Sequence, residues 1–184
     1  MPYKKFMATA TTAALVVSAV APTAMAANFT DVSTKYREAV DFVVSKGASG
    51  ISKKEFGVYE NIKRVDAAVL LANVLGLDVE NAKPSGFKDV PKRAMKHVNA
   101  LKEAGITSGK TSETFDSYSL ITRGELAVWI QKGFELTSDK KVSFTDVPAK
   151  YQKAVSALVG NGITSGISKK EYGTYQNAKR GDYA

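Results

Sequence analysis

The sequence predicts an all-α protein built from three tandem helix-loop-helix units. Three observations support this prediction: an F-x-D-V motif occurs three times, an amphipathic helical pattern follows each copy, and an Arg-containing motif comes later in each unit. The F-x-D-V copies begin at Phe29, Phe87 and Phe144, which are 58 and 57 residues apart. A constant period of this size is typical of one supersecondary unit used several times.

Residues 1–26 precede the first unit and have the pattern of a secretory signal peptide. Lys4 and Lys5 stand near the start, an Ala-rich apolar stretch follows, and Ala24-Met25-Ala26 provides an A-x-A cleavage site. The apolar stretch is short and diluted by Thr and Ser, unlike a membrane span. We therefore expect an exported protein with no membrane span once the signal peptide is removed.

Composition and charge restrict the classes of function. The chain of 184 residues has no cysteine and one histidine, so disulfides, metal sites and catalytic triads are not predicted. Its net charge is +8, or +6 without residues 1–26, from 24 basic and 18 acidic side chains. A basic exported protein favours anionic envelope partners over nucleic acid. No catalytic or cofactor motif is present, so we do not expect an enzyme.

The first helix of each unit is amphipathic. In the first unit, Val32, Tyr36, Val40 and Val44 lie on one helical face, and the third unit repeats this spacing. A glycine follows each helix at the same distance, as a left-handed C-cap requires. These glycines are Gly47, Gly105 and Gly162.

An aspartate stands just before the first turn of each of these helices. The three residues are Asp31, Asp89 and Asp146. Two roles are compatible with this position, namely capping of the helix N-terminus by the carboxylate and hydrogen bonding to a bound sugar. The sequence leaves both roles open.

The second helix of each unit is apolar on most of its faces. It reads "VDAAVLLANVLGL" from Val65 and "GELAVWIQKGFEL" from Gly124. Such a helix must be surrounded by other elements. We therefore expect the units to pack their second helices together in a pseudo-threefold bundle, with the amphipathic helices outside. The chain reaches Ala184 four residues after Arg180, so we expect the third unit to be incomplete.

Together, these motifs resemble the S-layer homology (SLH) domain family. The F-x-D-V copies match one family signature, and Ile121-Thr122-Arg123-Gly124-Glu125 is close to the second, I-T-R-A-E. The second signature also appears as Ile62-Lys63-Arg64-Val65-Asp66 and Ala178-Lys179-Arg180-Gly181-Asp182. The resemblance divides the chain into a signal peptide at 1–26 and SLH units at 27–86, 87–143 and 144–184, the last incomplete.

The resemblance implies a function in anchoring. Members of the family bind the secondary polysaccharide attached to Gram-positive peptidoglycan, a polymer that often carries a pyruvate ketal and therefore a carboxylate. The resemblance also implies grooves between neighbouring units, with the signature arginine at each groove. We therefore predict a secreted protein of the cell wall or S-layer that binds pyruvylated polysaccharide, and self-assembly through a further region is a second expectation.

The candidate polysaccharide-binding residues follow from this resemblance. A guanidinium group meets a carboxylate with two parallel hydrogen bonds, which suits the signature arginines. Two tyrosines stand near the family's aromatic position and predict a stacking platform in two units. The predicted residues are Arg64, Arg123, Arg180, Asp31, Asp89, Asp146, Lys63, Lys179, Tyr36 and Tyr151. For the arginines, the alternative is a salt bridge between units, to Asp66, Glu125 or Asp182.

Two other functions stay open at this stage. The second is the targeting region of an exported enzyme, such as a wall hydrolase with its catalytic domain beyond residue 184, and it ranks behind the anchoring of an S-layer or other envelope protein. A helical repeat that binds envelope protein, with no role in carbohydrate binding, is the third class.

Overall fold

The computed structural model describes residues 29–184, so the predicted signal peptide lies outside the described residues. This part of the chain forms six α-helices and one 3₁₀ turn, and its only β-structure is three isolated bridges. The all-α prediction is confirmed. The helices are α1 (Thr34–Ser45), α2 (Arg64–Val74), α3 (Met95–Glu103, after the 3₁₀ turn Lys92–Ala94), α4 (Arg123–Gly133), α5 (Ala149–Gly160) and α6 (Arg180–Tyr183).

The first helix of each unit buries the face that the sequence predicts. The buried side chains of α1 are Tyr36, Val40 and Val43, and α5 buries the equivalent face. Each of these helices is followed by a glycine with positive φ, at +88° for Gly47, +71° for Gly105 and +74° for Gly162. Because glycine adopts this left-handed conformation without a Cβ penalty, it ends the helix at the predicted place.

The three aspartates do not cap these helices, so that part of the prediction is wrong. The carboxylate of Asp31 instead accepts the backbone N–H groups of Phe56, Gly57 and Val58 at 2.7–2.9 Å. Asp89 and Asp146 accept the same three bonds from the equivalent loops, at residues 115–117 and 172–174. Three converging N–H donors offer a carboxylate more charge-assisted bonds than a helix cap does.

These bonds also set the protonation of the aspartates. Partial burial acts to raise the pKa of each carboxyl group, but the backbone donors outweigh it and hold the pKa below the ordinary value. The aspartates are therefore ionised at neutral pH, and each fastens its own unit's long loop to the start of its first helix.

A closed ring of backbone hydrogen bonds joins the three units at the centre of the molecule. Ile62 donates to the carbonyl of Ala178 at 2.9 Å, Ala178 donates to Ile121 at 2.9 Å, and Ile121 donates to Ile62 at 3.2 Å. All three side chains are buried. Since each unit contributes one residue at the equivalent position, the predicted pseudo-threefold arrangement is confirmed.

The second helix of each unit begins on the loop of the next unit. The N–H groups of Arg64 and Val65 donate to the carbonyls of Ser119 and Ser117, at 2.8 and 3.0 Å. These bonds satisfy donors that a helix N-terminus leaves unpaired. The equivalent bonds run from Arg123 and Gly124 to Gln176 and Thr174, and from Arg180 and Gly181 to Glu60 and Val58.

Each second helix then packs on the first helix of the following unit, pairing α2 with α3, α4 with α5 and α6 with α1. The second helices also share one buried cluster of side chains, in which Leu71 of α2 lies with Leu126 and Trp129 of α4. The expectation that the second helices pack together is therefore confirmed for α2 and α4, and the first helices cover their remaining apolar faces. The α6–α1 pair closes the circle, because it joins the third unit to the first. In this third unit α6 has four residues, whereas α2 and α4 have 11 each.

No helix within residues 29–184 combines the length and the apolar character needed to cross a bilayer.

Candidate functional site: the arginine grooves

Each signature arginine packs on an aromatic ring in the loop of the neighbouring unit. The guanidinium carbon lies 5.1 Å from the ring centroid of Phe115 for Arg64, 4.9 Å from Tyr172 for Arg123 and 4.7 Å from Phe56 for Arg180. These distances are in the range of cation–π contacts. The same contact therefore occurs at all three junctions between units, and we use the word groove, with the name of the arginine, for the surroundings of each one.

The Arg123 groove lies where the third unit meets the second unit and α1. It has a volume of about 990 Å³ and is lined by residues 162–167, Lys35, Lys140 and Asp182, among others. Arg123 is half-buried, and its Nε donates to the carbonyl of Tyr172 at 3.1 Å. Within residues 29–184, no carboxylate lies within 4.0 Å of this guanidinium group. The positive charge of Arg123 is therefore not compensated by a salt bridge among the described residues.

The Arg180 groove has a volume of about 390 Å³ and is lined by residues 47–51, Asp66 and Arg93, among others. Arg180 is 9% exposed, and one terminal nitrogen donates to the carbonyl of Ser49. Its Nε is buried and has no acceptor among the described residues. The nearby carboxylate of Asp66 bonds Arg93 at 2.8 Å and makes no salt bridge to Arg180.

The Arg64 groove is the equivalent junction between the first and second units. Arg64 is 4% exposed, lies 4.7 Å from the ring of Trp129, and donates from Nε to the carbonyl of Phe115 at 2.8 Å. Its Nη1 faces Glu125 at 3.3 Å without hydrogen-bond alignment, so the contact is an ion pair. The alternative of a salt bridge between units is therefore confirmed for Arg64. Lys110 bonds the same carboxylate oxygen of Glu125.

The charges in this groove affect one another. Burial acts to raise the pKa of Glu125, but the bonds from Lys110 and the backbone of Thr122, together with the charge of Arg64, hold the pKa below the ordinary value. Burial lowers the pKa of Arg64, and Glu125 opposes that effect. Since the ordinary pKa of arginine is far above neutral, both partners are ionised and the pair is internally compensated.

The other predicted residues lie near these grooves in different environments. Lys63 and Lys179 are exposed N-cap residues of α2 and α6, and neither side chain makes a cap bond. Tyr36 and Tyr151 are only 8% and 9% exposed, which weighs against a flat stacking platform. Both carboxylate oxygens of Asp31, Asp89 and Asp146 already accept backbone bonds, which weighs against sugar contacts. Their roles in binding stay predictions.

Three further tyrosines, outside the set of predicted binding residues, are exposed at the surface. They occupy one equivalent position in each unit, and Tyr59, Tyr118 and Tyr175 are 60%, 64% and 65% exposed. Tyr59 packs edge-on against Tyr36, and Tyr175 against Tyr151, with centroids 6.1 and 6.5 Å apart. Their recurrence at a fixed place in the repeated loop was the available signal. No cluster of acidic and histidine residues within residues 29–184 is suited to a metal ion.

These features define the class of protein: a closed ring of three helix-loop-helix units, with an arginine packed on an aromatic ring at each junction and a cavity beside Arg123 and Arg180. A scan against family models matches the S-layer homology domain at residues 86–127 and 143–184, which are the second and third units. The chain therefore contains S-layer homology domains and belongs to that family, as its motifs predict.

Known relatives cover most of this chain. It is 34% identical over 173 residues to the surface-layer 125 kDa protein of Lysinibacillus sphaericus, covering 89% of this chain and 14% of that protein. It is 31% identical over 179 residues to S-layer protein EA1 of Bacillus anthracis, covering 91% of this chain and 21% of that protein. An uncharacterized cell wall amidase of Bacillus anthracis is 32% identical over 145 residues, covering 75% of this chain and 27% of that protein.

The chain thus spans about a fifth or less of the length of the two S-layer relatives. Membership of the family, together with these relatives, indicates a location at the cell wall or cell surface.

Proposed function

We propose that this chain anchors an exported surface protein to the cell wall by binding pyruvylated secondary polysaccharide. The SLH domain supports wall anchoring in general. The observation that favours an acidic polymer is the Arg123 guanidinium group, which lies at an open groove and has no carboxylate partner in the described chain. A ligand carboxylate would supply that partner.

The geometry of Arg123 suits a carboxylate. Its Nε is engaged by the carbonyl of Tyr172, and the Tyr172 ring lies against the guanidinium group. These two contacts hold the guanidinium in place while its terminal nitrogens have no acceptor among residues 29–184. A pre-positioned guanidinium group binds a carboxylate through two parallel bonds at a smaller entropic cost than a mobile one.

The charges around Arg123 also favour an anionic ligand. Lys35 and Lys140 line the same groove, and Asp182 is the one acidic side chain among its lining residues. Asp182 is engaged by the hydroxyl of Tyr36 at 2.9 Å and lies 3.9 Å from Lys35. The groove therefore presents a net positive charge to a polymer that carries one carboxylate for each ketal.

The test is retention of the protein on purified wall polymer, with and without mild acid removal of the ketal. Arg123→Ala is expected to weaken binding about 10- to 100-fold, the loss of one charged hydrogen-bonding partner. Arg123→Lys is expected to weaken binding less, because the ammonium group keeps the charge and loses the paired geometry.

Arg37→Ala is the matched control. Arg37 is a half-buried arginine whose guanidinium bonds the carbonyl of Val32 and lies outside the grooves described above. Arg37→Ala changes the net charge by the same amount as Arg123→Ala but alters none of the grooves. Retention of the Arg37→Ala variant should therefore equal that of the wild type. Equal retention of Arg123→Ala and wild type, or unchanged binding to polymer stripped of its ketal, would refute the proposal.

A second candidate is the targeting region of an exported enzyme, which the similarity to a cell wall amidase favours. Both candidates use the same grooves and differ in what the grooves anchor. An assay of wall hydrolysis by the full protein purified from the envelope separates them. Release of soluble wall fragments supports the enzyme, and ordered lattices without hydrolysis support the S-layer protein.

A further inference from the structure

The three grooves are equivalent in position, and two of the positions at which their residues differ change the charge beside the arginine. Two residues after the signature arginine, the units carry Asp66, Glu125 and Asp182. Directly after the loop glycine at the same groove, they carry Ile51, Lys110 and Ile167. The Arg64 groove alone therefore combines the longer acid, Glu125, with a basic loop residue, Lys110.

Because of these two sequence differences, the carboxylate in the Arg64 groove lies next to the arginine. Glu125 Oε1 lies 3.3 Å from Arg64 and also bonds Lys110, while its other oxygen accepts the backbone N–H of Thr122 at 3.2 Å. The Glu125 side chain is 17% exposed and that of Arg64 is 5% exposed. A carboxylate of the protein itself thus lies against the guanidinium group, in the place where a ligand's carboxylate would lie.

In the other two grooves the shorter acid, aspartate, bonds a residue other than the signature arginine. Asp66 bonds Arg93 at 2.8 Å, and Asp182 accepts the hydroxyl of Tyr36 at 2.9 Å. Neither lies within salt-bridge distance of Arg180 or Arg123 among the described contacts. The guanidinium groups of these two grooves consequently lack a compensating carboxylate, and Nε of Arg180 is buried without an acceptor.

We propose that Lys110 and Glu125 close the Arg64 groove, so that the carboxylates of the wall polymer bind only at the Arg123 and Arg180 grooves. This inference rests on the proposed function. Glu125 acts as an internal occupant: a ligand carboxylate would have to displace an ion pair that is already desolvated and held by Lys110 and Thr122. The Arg64 groove thereby serves as a rigid joint between the first and second units.

The experiment is a titration of the ¹⁵N-labelled domain with a methyl hexoside that carries a pyruvyl ketal. The backbone amides of Gly50, Gly109 and Gly166 are equivalent reporters, one in the loop of each groove. For the wild type we expect saturable shifts at Gly50 and Gly166 and none at Gly109. Calorimetry with the same sugar should give two sites per chain.

The decisive variant opens the third groove with the residues that the other units use. Lys110→Ile combined with Glu125→Asp should add saturable shifts at Gly109 and raise the stoichiometry to three. The two single variants guard against misfolding of the double variant, and each should increase the Gly109 shift over that of the wild type. Lys88→Ile is the control, since it removes a lysine from the exposed Lys88–Glu113 pair and should leave two sites.

The outcomes distinguish the two proposals. If the wild type shows no saturable shift at any reporter, the proposed function fails and this inference fails with it. If the wild type shifts at Gly109 as strongly as at Gly166, the function stands and the inference is overturned. The inference is also overturned if the wild type has two sites and every folded variant at Lys110 and Glu125 leaves Gly109 unshifted.

Discussion

The junction at Arg64 and the junction at Arg123 share one architecture and differ in charge compensation. Each arginine packs on an aromatic ring in the loop of the next unit, and its Nε–H donates to the backbone carbonyl of that same aromatic residue. Arg64 is buried against Trp129 and paired with Glu125, whereas Arg123 is half-buried beside an open groove. A repeated motif can therefore stabilise the fold at one junction and remain available to a ligand at another.

The largest expected effect tests this difference directly. Arg64→Ala should lower the free energy of unfolding by about 3 kcal/mol, because it removes one partner of a buried ion pair and leaves Glu125 with Lys110 alone. Arg123→Ala should cost only about 1 kcal/mol, the value of an exposed cation–π contact. The measurement is urea unfolding of the domain, followed by far-UV circular dichroism.

The comparison of the two junctions fails if both alanine variants lose the same stability. It also fails if Arg64→Ala abolishes retention on wall polymer while its unfolding midpoint stays at the wild-type value. Either result would mean that Arg64 contributes to binding more than to the fold.

A second prediction concerns what the junctions share. Asp89 fastens the loop under Arg64, and Asp146 fastens the loop under Arg123, through three backbone bonds each. Asp89→Asn and Asp146→Asn should therefore cost similar amounts, about 2 kcal/mol each, since an amide supplies one acceptor oxygen to three donors. Thermal unfolding of the two variants under identical conditions provides the comparison.

The same carboxylates predict acid sensitivity. Their pKa values in the folded protein lie below the ordinary 3.8, so the stability they contribute is present above that value. It is lost as the pH falls through the lower, folded-state pKa. Wild-type stability should drop more steeply below about pH 4 than that of the double Asn variant, and parallel curves would contradict this assignment.

The smallest expected effect concerns the helix starts. Thr122 and Glu125 form a capping box at the start of α4, whereas Lys63 makes no side-chain cap bond at the start of α2. Thr122→Ala should cost about 1 kcal/mol, and Lys63→Ala should cost almost nothing. Urea midpoints of the two variants check this, and a larger loss for Lys63→Ala would show that an exposed lysine supports the central junction.

Much of the fold was predictable because it depends on local sequence. The spacing of Tyr36, Val40 and Val44 predicts the buried face of α1, and Gly47 predicts its end, since the period of a helix and the positive φ of glycine act over a few residues. The role of Asp31 was not predictable in the same way. Its partners at Phe56, Gly57 and Val58 are 25 to 27 residues away in the chain.

For the candidate site, too, the sequence predicted some features and not others. The sequence identified the three arginines by their signature and offered two roles for each. It placed Tyr36 and Tyr151 on the buried faces of their helices and also in a stacking platform, and only the structure decides in favour of burial. It did not predict that Tyr59, Tyr118 and Tyr175 would be exposed at equivalent positions. Exposure depends on the neighbouring units, and periodicity within one unit contains no information about them.

The sequence by itself determined that this protein consists of three similar helical units, that a basic residue marks each junction, and that the chain belongs among S-layer homology domains. Only the tertiary structure decided how the units close into a ring and which arginine is compensated. The reason is that an ion pair such as Arg64–Glu125 joins residues of two units. Its strength depends on a distance and a burial that exist only after α2 has docked on the loop of the second unit.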